Sequence, residues 1–341
     1  MRIVKIFSVL AVLLALGTVA VAEGGQVLLN AAGATFPYPI YSKWFDQYHQ
    51  AHPNVQINYQ SIGSGGGIRQ LLDKTVDFGA SDGPMSDDQL KTATVPILHF
   101  PTVLGAAIPS YNVAGVQGEL NFTPEALSGI FLGKITKWND PAIASANPGV
   151  KLPGEDIVVV HRSDGSGTTY IWTDYLSKVN DGWKARVGKG TSVNWPVGLG
   201  GKLNEGVAGQ IKATPNSIGY VELIYAIQSS MPYGRVKNAA GEFVKADLAS
   251  VTAAAAATAK EMPDDFRVSI TNAPGKGAYP ISSFTWLLIP EKFQDAKKRD
   301  ALKGFIKWML TEGQEDVEKL AYAKLPKDVV SKELKALNKV Q

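Results

Sequence analysis

The chain has no cysteine among its 341 residues. That excludes disulfides, thiolate metal sites and a lipid-modified N-terminal cysteine, and leaves stability to core burial. Histidine is scarce too: the four are His49, His52, His99 and His161. His49 and His52 lie three apart on one expected helix, but no further ligand accompanies them, so no metal centre is indicated. Charge of one sign is not in excess, with 34 Lys and Arg against 31 Asp and Glu. No basic stripe interleaves the aromatics, which excludes the usual footprint of a nucleic-acid binder. The glycine, lysine and hydroxyl pattern of a P-loop does not occur. In the glycine-rich run GLGGKLN (198–204), Leu203 stands where the hydroxyl belongs. The glycine-flanked serine of a nucleophile elbow is missing as well, because Asp164 replaces the first glycine around Ser166.

Long apolar runs are confined to the start. Arg2 and Lys5 precede an apolar stretch over residues 6–22, broken by Ser8, Gly17 and Thr18 and ending in Ala20-Val21-Ala22. Small residues at those positions are what a signal peptidase reads. Residues 1–22 are therefore expected to form a signal peptide cleaved after Ala22. The stretch is short for a bilayer span of roughly 20 apolar residues. Loss of Arg2 and Lys5 takes the net charge from +3 to +1. No later segment is long and apolar enough to cross a membrane, so the mature protein is expected to be soluble and exported.

The remaining chain alternates strand and helix patterns. Residues 27–30 read as a strand ending at Gly33. Ile40, Trp44, Phe45 and Tyr48 fall at helical spacing after Pro37 and Pro39, and that helix should stop near His52-Pro53. VQINY (55–59) reads as a strand, residues 68–74 as a helix, IVVV (157–160) as a buried strand, and residues 168–179 as a helix. SIGYVE (217–222) is a strand leading into 223–228, the alanine run 253–257 is helical, FTWLLIP (284–290) is a strand, and the tail from 295 to 340 is helical. Such alternation predicts an α/β protein with mainly parallel sheets.

Three segments share one design, in which a strand gives way to a Gly/Ser/Thr turn and then a helix start: GATFP (33–37), GSGGG (63–67) and DGSGTT (164–169). Helix N-termini carry unpaired N–H groups and partial positive charge. Glycine lets the backbone approach a ligand, and hydroxyls add donors. These are the parts of an anion cradle, although a single such turn is equally a plain N-cap. Arg162, two residues before Asp164, could fork two oxygens of a tetrahedral anion while Asp164 holds it in line. The spacing alone fits an ordinary surface pair just as well. Asp82, in GASDGP, looks misplaced beside an anion unless the anion carries a proton. Phosphate near neutral pH does, and sulfate does not. The plainer reading of Asp82 is a turn or capping residue.

Longer segments carry a resemblance. AAGATFPYPIYSKW (31–44), YQSIGSGGGIRQ (59–70), VDFGASDGPMS (76–86), FPTVLGA (100–106), LGKITKWND (132–140), VVHRSDGSGTT (159–169), WPVGLGGKLNEGV (195–207) and IGYVE (218–222) occur in this order. The sequence resembles the periplasmic phosphate-binding subunit of the high-affinity phosphate ABC transporter, over essentially the whole mature chain. The resemblance implies a two-lobed α/β periplasmic-binding-protein fold with a ligand cleft and two crossover segments. Lobe 1 would comprise 27–104 plus 280–341, and lobe 2 109–277. It implies phosphate contacts from Thr35, Phe36, Ser64 and Asp82 on one lobe and from Arg162, Ser166, Gly167 and Thr168 on the other, with Asp164 supporting Arg162. It implies no catalysis and no cofactor. The expected partners are inorganic phosphate and the transmembrane permease subunits of an ABC transporter, with no nucleic acid, for a monomer free in the periplasm. Gly65 stands where some relatives have a second serine, and His161 where relatives often carry arginine. The rival readings are a binder of sulfate or another oxyanion, an exported phosphatase or serine hydrolase using Ser166, and an adhesin that kept the fold.

Overall fold

A computed structural model describes residues 25–116, 118–258 and 262–341. The expected signal peptide lies outside the described residues. The first part runs β1 (Val27–Gly33), α1 (Tyr38–Ala51), β2 (Val55–Ser61), α2 (Ser64–Leu72), β3 (Phe78–Ser81), α3 (Asp87–Thr92) and β4 (Ile97–Asn112). The middle contains β5 (Asn121–Phe122), α4 (Pro124–Phe131), α5 (Pro141–Ala144), β6 (Val158–Arg162), α6 (Gly167–Val179), α7 (Asp181–Arg186), β7 (Leu199–Gly201), α8 (Leu203–Ala213), β8 (Ser217–Glu222) and α9 (Leu223–Gln228). It continues through β9 (Arg235–Lys237), β10 (Phe243–Val244) and α10 (Leu248–Thr258). The chain ends with β11 (Ser282–Pro290), α11 (Ala296–Leu310) and α12 (Lys327–Ala336).

Eight strands form one sheet in the order β2-β1-β3-β11-β4-β8-β6-β7. The expectation of mainly parallel sheets needs correction. Each flank is parallel, but β11 pairs antiparallel with both β3 and β4, and β4 pairs antiparallel with β8. Two long strands without a helical crossover therefore sit at the centre. The 16-residue β4 pairs with β11 over Ile97 to Ala106 and with β8 over Ala107 to Asn112. It runs from a first half (β2, β1, β3, β11) into a second half (β8, β6, β7). Its burial is nearly continuous, as expected of a strand covered on both faces.

Each flank is a strand–turn–helix stack. In α1, Ile40, Tyr41, Trp44, Phe45 and Tyr48 are buried at helical spacing against the sheet, and the helix ends at Ala51. His52 therefore lies just past the helix, stacked on Tyr48, while His49 contacts the carbonyl of Val55. Trp44, Trp138, Trp172, Trp183 and Trp286 are fully buried, so the tryptophans serve the core. No helix among the described residues is long and apolar enough to cross a membrane.

One helix begins earlier than its sequence suggests. α2 starts at Ser64, not Ile68, and takes in Gly65, Gly66 and Gly67. Helical glycine costs about 1 kcal/mol relative to alanine, so propensity argued against it. Packing reverses the balance, because the Cα of Gly65 faces the backbone of Gly165, where no side chain would fit.

Candidate functional site

The three Gly/Ser/Thr turns converge where the two halves of the sheet meet. Thr35 and Phe36 lie between β1 and α1, Ser64 opens α2, and Asp82 follows β3. Arg162 ends β6, while Ser166 and Gly167 begin α6. Thr35, Phe36, Ser64, Asp82, Arg162, Ser166 and Thr168 are each no more than 3% exposed. The halves touch at this point: the Gly65 N–H donates to the Gly165 carbonyl at 2.8 Å. Tyr225 Oη of α9 donates to the Thr35 carbonyl at 2.5 Å.

Arg162 is no surface pair. Its side chain is 1% exposed, Nε donates to Asp164 Oδ1 at 2.8 Å and Nη2 donates to Oδ2 at 2.6 Å. This fork leaves the other edge of the guanidinium for a further partner; there Nη1 reaches Thr168 Oγ1 at 3.4 Å. Asp164 is itself fixed by the Leu203 N–H at 2.9 Å. Burial alone would push its pKa up, but the Arg162 guanidinium outweighs burial and holds the carboxyl below the usual range. The Arg162 backbone N–H donates to Tyr220 Oη at 3.1 Å, and Tyr220 Oη also meets Thr169 Oγ1 at 2.6 Å. Next to it, His161 stacks on Trp195 with ring centroids 4.8 Å apart and planes 13° off parallel. Burial shifts its titration downward, which favours a neutral ring beside Arg162.

Asp82 faces this cation from the first half. Thr285 Oγ1 of β11 donates to its Oδ1 at 2.8 Å, and Ser64 Oγ lies 3.5 Å from its Oδ2. Burial pushes the Asp82 carboxyl up to about 7, against the opposing pulls of Thr285, Arg162 and Ser64. Gly167 stands directly opposite. A Cβ at this position would lie 2.5 Å from Asp82 Oδ2, so only glycine lets the start of α6 come this close to a carboxylate. The helix presents its first free N–H groups there. Ser166 Oγ accepts from the Thr169 N–H at 3.0 Å as the N-cap. The arrangement therefore combines a braced guanidinium, three helix starts and hydroxyl donors around one buried acceptor. It can hold a small tetrahedral oxyanion on all sides, with one face suited to a protonated oxygen.

The structure also brings in residues that the three turns did not suggest. Thr285 arrives from β11, 203 positions away from Asp82. Glu222, fully buried at the start of α9, accepts the Ile224 N–H at 2.8 Å, while its Oε1 has no partner among the described residues. Asn204 joins Thr35 and Thr168 from the first turn of α8. A signal for Asn204 did exist: GLGGKLN is a fourth strand–glycine turn–helix start. As a P-loop it failed at Leu203, yet its next residue enters the site.

A PBP superfamily domain matches residues 20–312. The chain is 47% identical to the phosphate-binding protein PstS of Xylella fastidiosa strain Temecula1 over 306 residues, which covers 89% of this chain and 83% of that one. It is 42% identical to the phosphate-binding protein PstS of Haemophilus influenzae over 319 residues, covering 93% and 94%. The crystal structure of a phosphate-binding protein from Stenotrophomonas maltophilia superposes with a TM-score of 0.71 at 18% identity, covering 91% of this chain and 94% of that one. At that identity the last likeness speaks for the fold alone, the two-lobed α/β architecture.

Proposed function

The chain belongs to the PstS phosphate-binding family of the PBP superfamily, and from that premise we propose that it captures inorganic phosphate between two lobes and delivers it to a membrane ABC permease for import. One observation supports this above the rest: a fully buried acceptor, Asp82, faces a buried guanidinium already braced by its own carboxylate. A site for a fully deprotonated anion has no use for that acceptor. Phosphate near neutral pH supplies the proton that turns the facing carboxylate into a hydrogen-bond partner. On this reading the oxyanion is held by Thr35, Phe36, Ser64 and Asp82 from one lobe and by Arg162, Ser166, Gly167 and Thr168 from the other. Asp164 orients Arg162. The lobes are 27–104 with 280–341, and 109–277, and the passages between them are β4 and the segment leading into β11. Closure of one lobe on the other is the hinge motion of periplasmic binding proteins.

The same reading makes the protein a carrier rather than an enzyme, working as a monomer outside the cytoplasmic membrane after removal of residues 1–22. Ser166 serves as a helix cap, and no histidine is hydrogen-bonded to it among the described residues, which does not favour a hydrolase. Calorimetric titration of the purified chain with phosphate and with sulfate tests the function. Tight, stoichiometric phosphate binding with sulfate far weaker is the expected result; equal affinities would overturn it. The mass of the protein secreted by its host tests the cleavage after Ala22.

A further inference from the structure

Asn204 is fully buried, and both amide N–H groups and the amide oxygen are engaged. Nδ2 donates to Thr35 Oγ1 at 2.8 Å and to Thr168 Oγ1 at 3.2 Å, while Oδ1 accepts the Glu222 N–H at 3.1 Å. The Glu222 N–H can only donate, so the orientation of the amide is fixed and both N–H groups point at the two threonines. Thr35 follows β1 in the first half of the sheet and Thr168 lies on α6 in the second, so one side chain spans the junction. The backbone is committed to this placement. Leu203, directly before Asn204, has φ of 63°, a left-handed conformation rare for a bulky side chain, and its N–H is held by Asp164.

A hydroxyl has one proton to give and lone pairs to receive. At Thr35 the lone pairs receive Asn204. At Thr168 they receive Asn204 and face Arg162 Nη1 at 3.4 Å. Both partners can only donate, so each hydroxyl proton must point elsewhere, toward the acceptor-rich ligand. We propose that Asn204 is a positioning residue: it turns the Thr35 and Thr168 hydroxyls into fixed proton donors for the anion and, in doing so, latches the closed lobes together. This rests on the phosphate-binding reading. It adds a residue that touches no ligand atom but sets the polarity of two residues that do.

The test is a set of double-mutant cycles on phosphate affinity in the full chain. Asn204→Ala and Asn204→Leu, the second preserving volume, are each combined with Thr35→Val and Thr168→Val, and each fold is checked by thermal melting. Each Asn204 variant is expected to weaken phosphate binding about tenfold or more, mainly through faster release. With both threonines replaced by valine, the Asn204 substitution should cost less than about threefold further, because the hydroxyls it orients are gone. A full, unreduced loss in the valine background overturns the proposal, as does wild-type affinity in either Asn204 variant. Failure of the wild-type protein to bind phosphate would instead overturn the functional reading itself, and that is seen before any variant is made.

Discussion

Asp82 is under opposed demands: burial favours its neutral acid, while Thr285, Ser64 and Arg162 favour the carboxylate, and the balance lies at about 7. Above that value the ionised group accepts a proton-bearing oxygen and repels a bare one. Below it the acid can donate to either. The preference for phosphate over sulfate should therefore narrow as pH falls through about 7. Asp82→Asn should show the narrowed preference at every pH, since an amide donates regardless. Competition titrations at about pH 5.5 and about pH 8.5, on either side of that value, check both statements; a preference in Asp82→Asn as strong as in the wild type would refute this role. Gly167 supports a second expectation. The Cβ of Gly167→Ala would lie 2.5 Å from Asp82 Oδ2, so α6 must retreat from the acceptor, and phosphate affinity should drop at least about hundredfold with little change in the fold. At this scale the sequence was informative where one local run held the chemistry. Arg162 and Asp164 are two residues apart, and their pairing was readable, though their burial was not. Asn204 had a partial signal in its glycine turn, but Thr285 and Glu222 were hidden because each is brought in by a different strand or helix, and sequence spacing carries no trace of a contact such as Thr285 to Asp82, which spans 203 positions.

The strand–turn–helix units set these residues in place, and their pattern was legible because hydrophobic period and glycine punctuation agree within each unit. Strands β1, β2, β6, β8 and β11 and helices α1 and α6 lie within a few residues of expectation. Legibility failed for α2, where close approach of Gly65 to Gly165 and of Gly67 to Gly33 outweighed the poor helix propensity of glycine, and for the central strands, because antiparallel pairing between β11 and β4 leaves the same apolar pattern as parallel pairing. Helix α12 shows a different tension. Glu333 is fully buried, and neither carboxylate oxygen has a partner among the described residues. Burial pushes its titration well above the ordinary 4.5. The folded protein therefore keeps a proton that the unfolded chain releases, so this group makes stability fall as pH rises above about 4.5. Glu333→Leu removes both the desolvated polar group and the pH term. It should stabilise the protein by about 1–3 kcal/mol near neutral pH and flatten the fall in melting temperature toward alkaline pH. Equal or lower stability at pH 8 would show that Glu333 has a partner in solution.

In the whole molecule, one long strand carries the chain from one half into the other. β4 pairs with β11 up to Ala106 and with β8 from Ala107, so under the proposed closure a small change of twist at that point would swing one half of the sheet relative to the other without breaking either. The closed arrangement places Arg162, three helix starts and a set of hydroxyls around one point, and it buries both Asp82 and Glu222; burial, with the Asp82 charge adding to it, holds the Glu222 carboxyl well above the usual range. Without an anion, closure desolvates positive and negative groups that have too few mutual partners, which opposes it. Phosphate supplies acceptors for the guanidinium and helix N–H groups and a proton for Asp82, and it reverses the sign. Small-angle scattering should therefore show a radius of gyration that falls when phosphate is added to phosphate-stripped protein. At a free concentration near 100 times Kd, binding to the folded state alone contributes about 2.7 kcal/mol, which for a chain of this size raises the melting temperature by about 4 °C. The same concentration of sulfate should leave both measurements unchanged. A melting shift without compaction would mean that phosphate binds an already closed protein, and the hinge at Ala106–Ala107 would then have no part in capture.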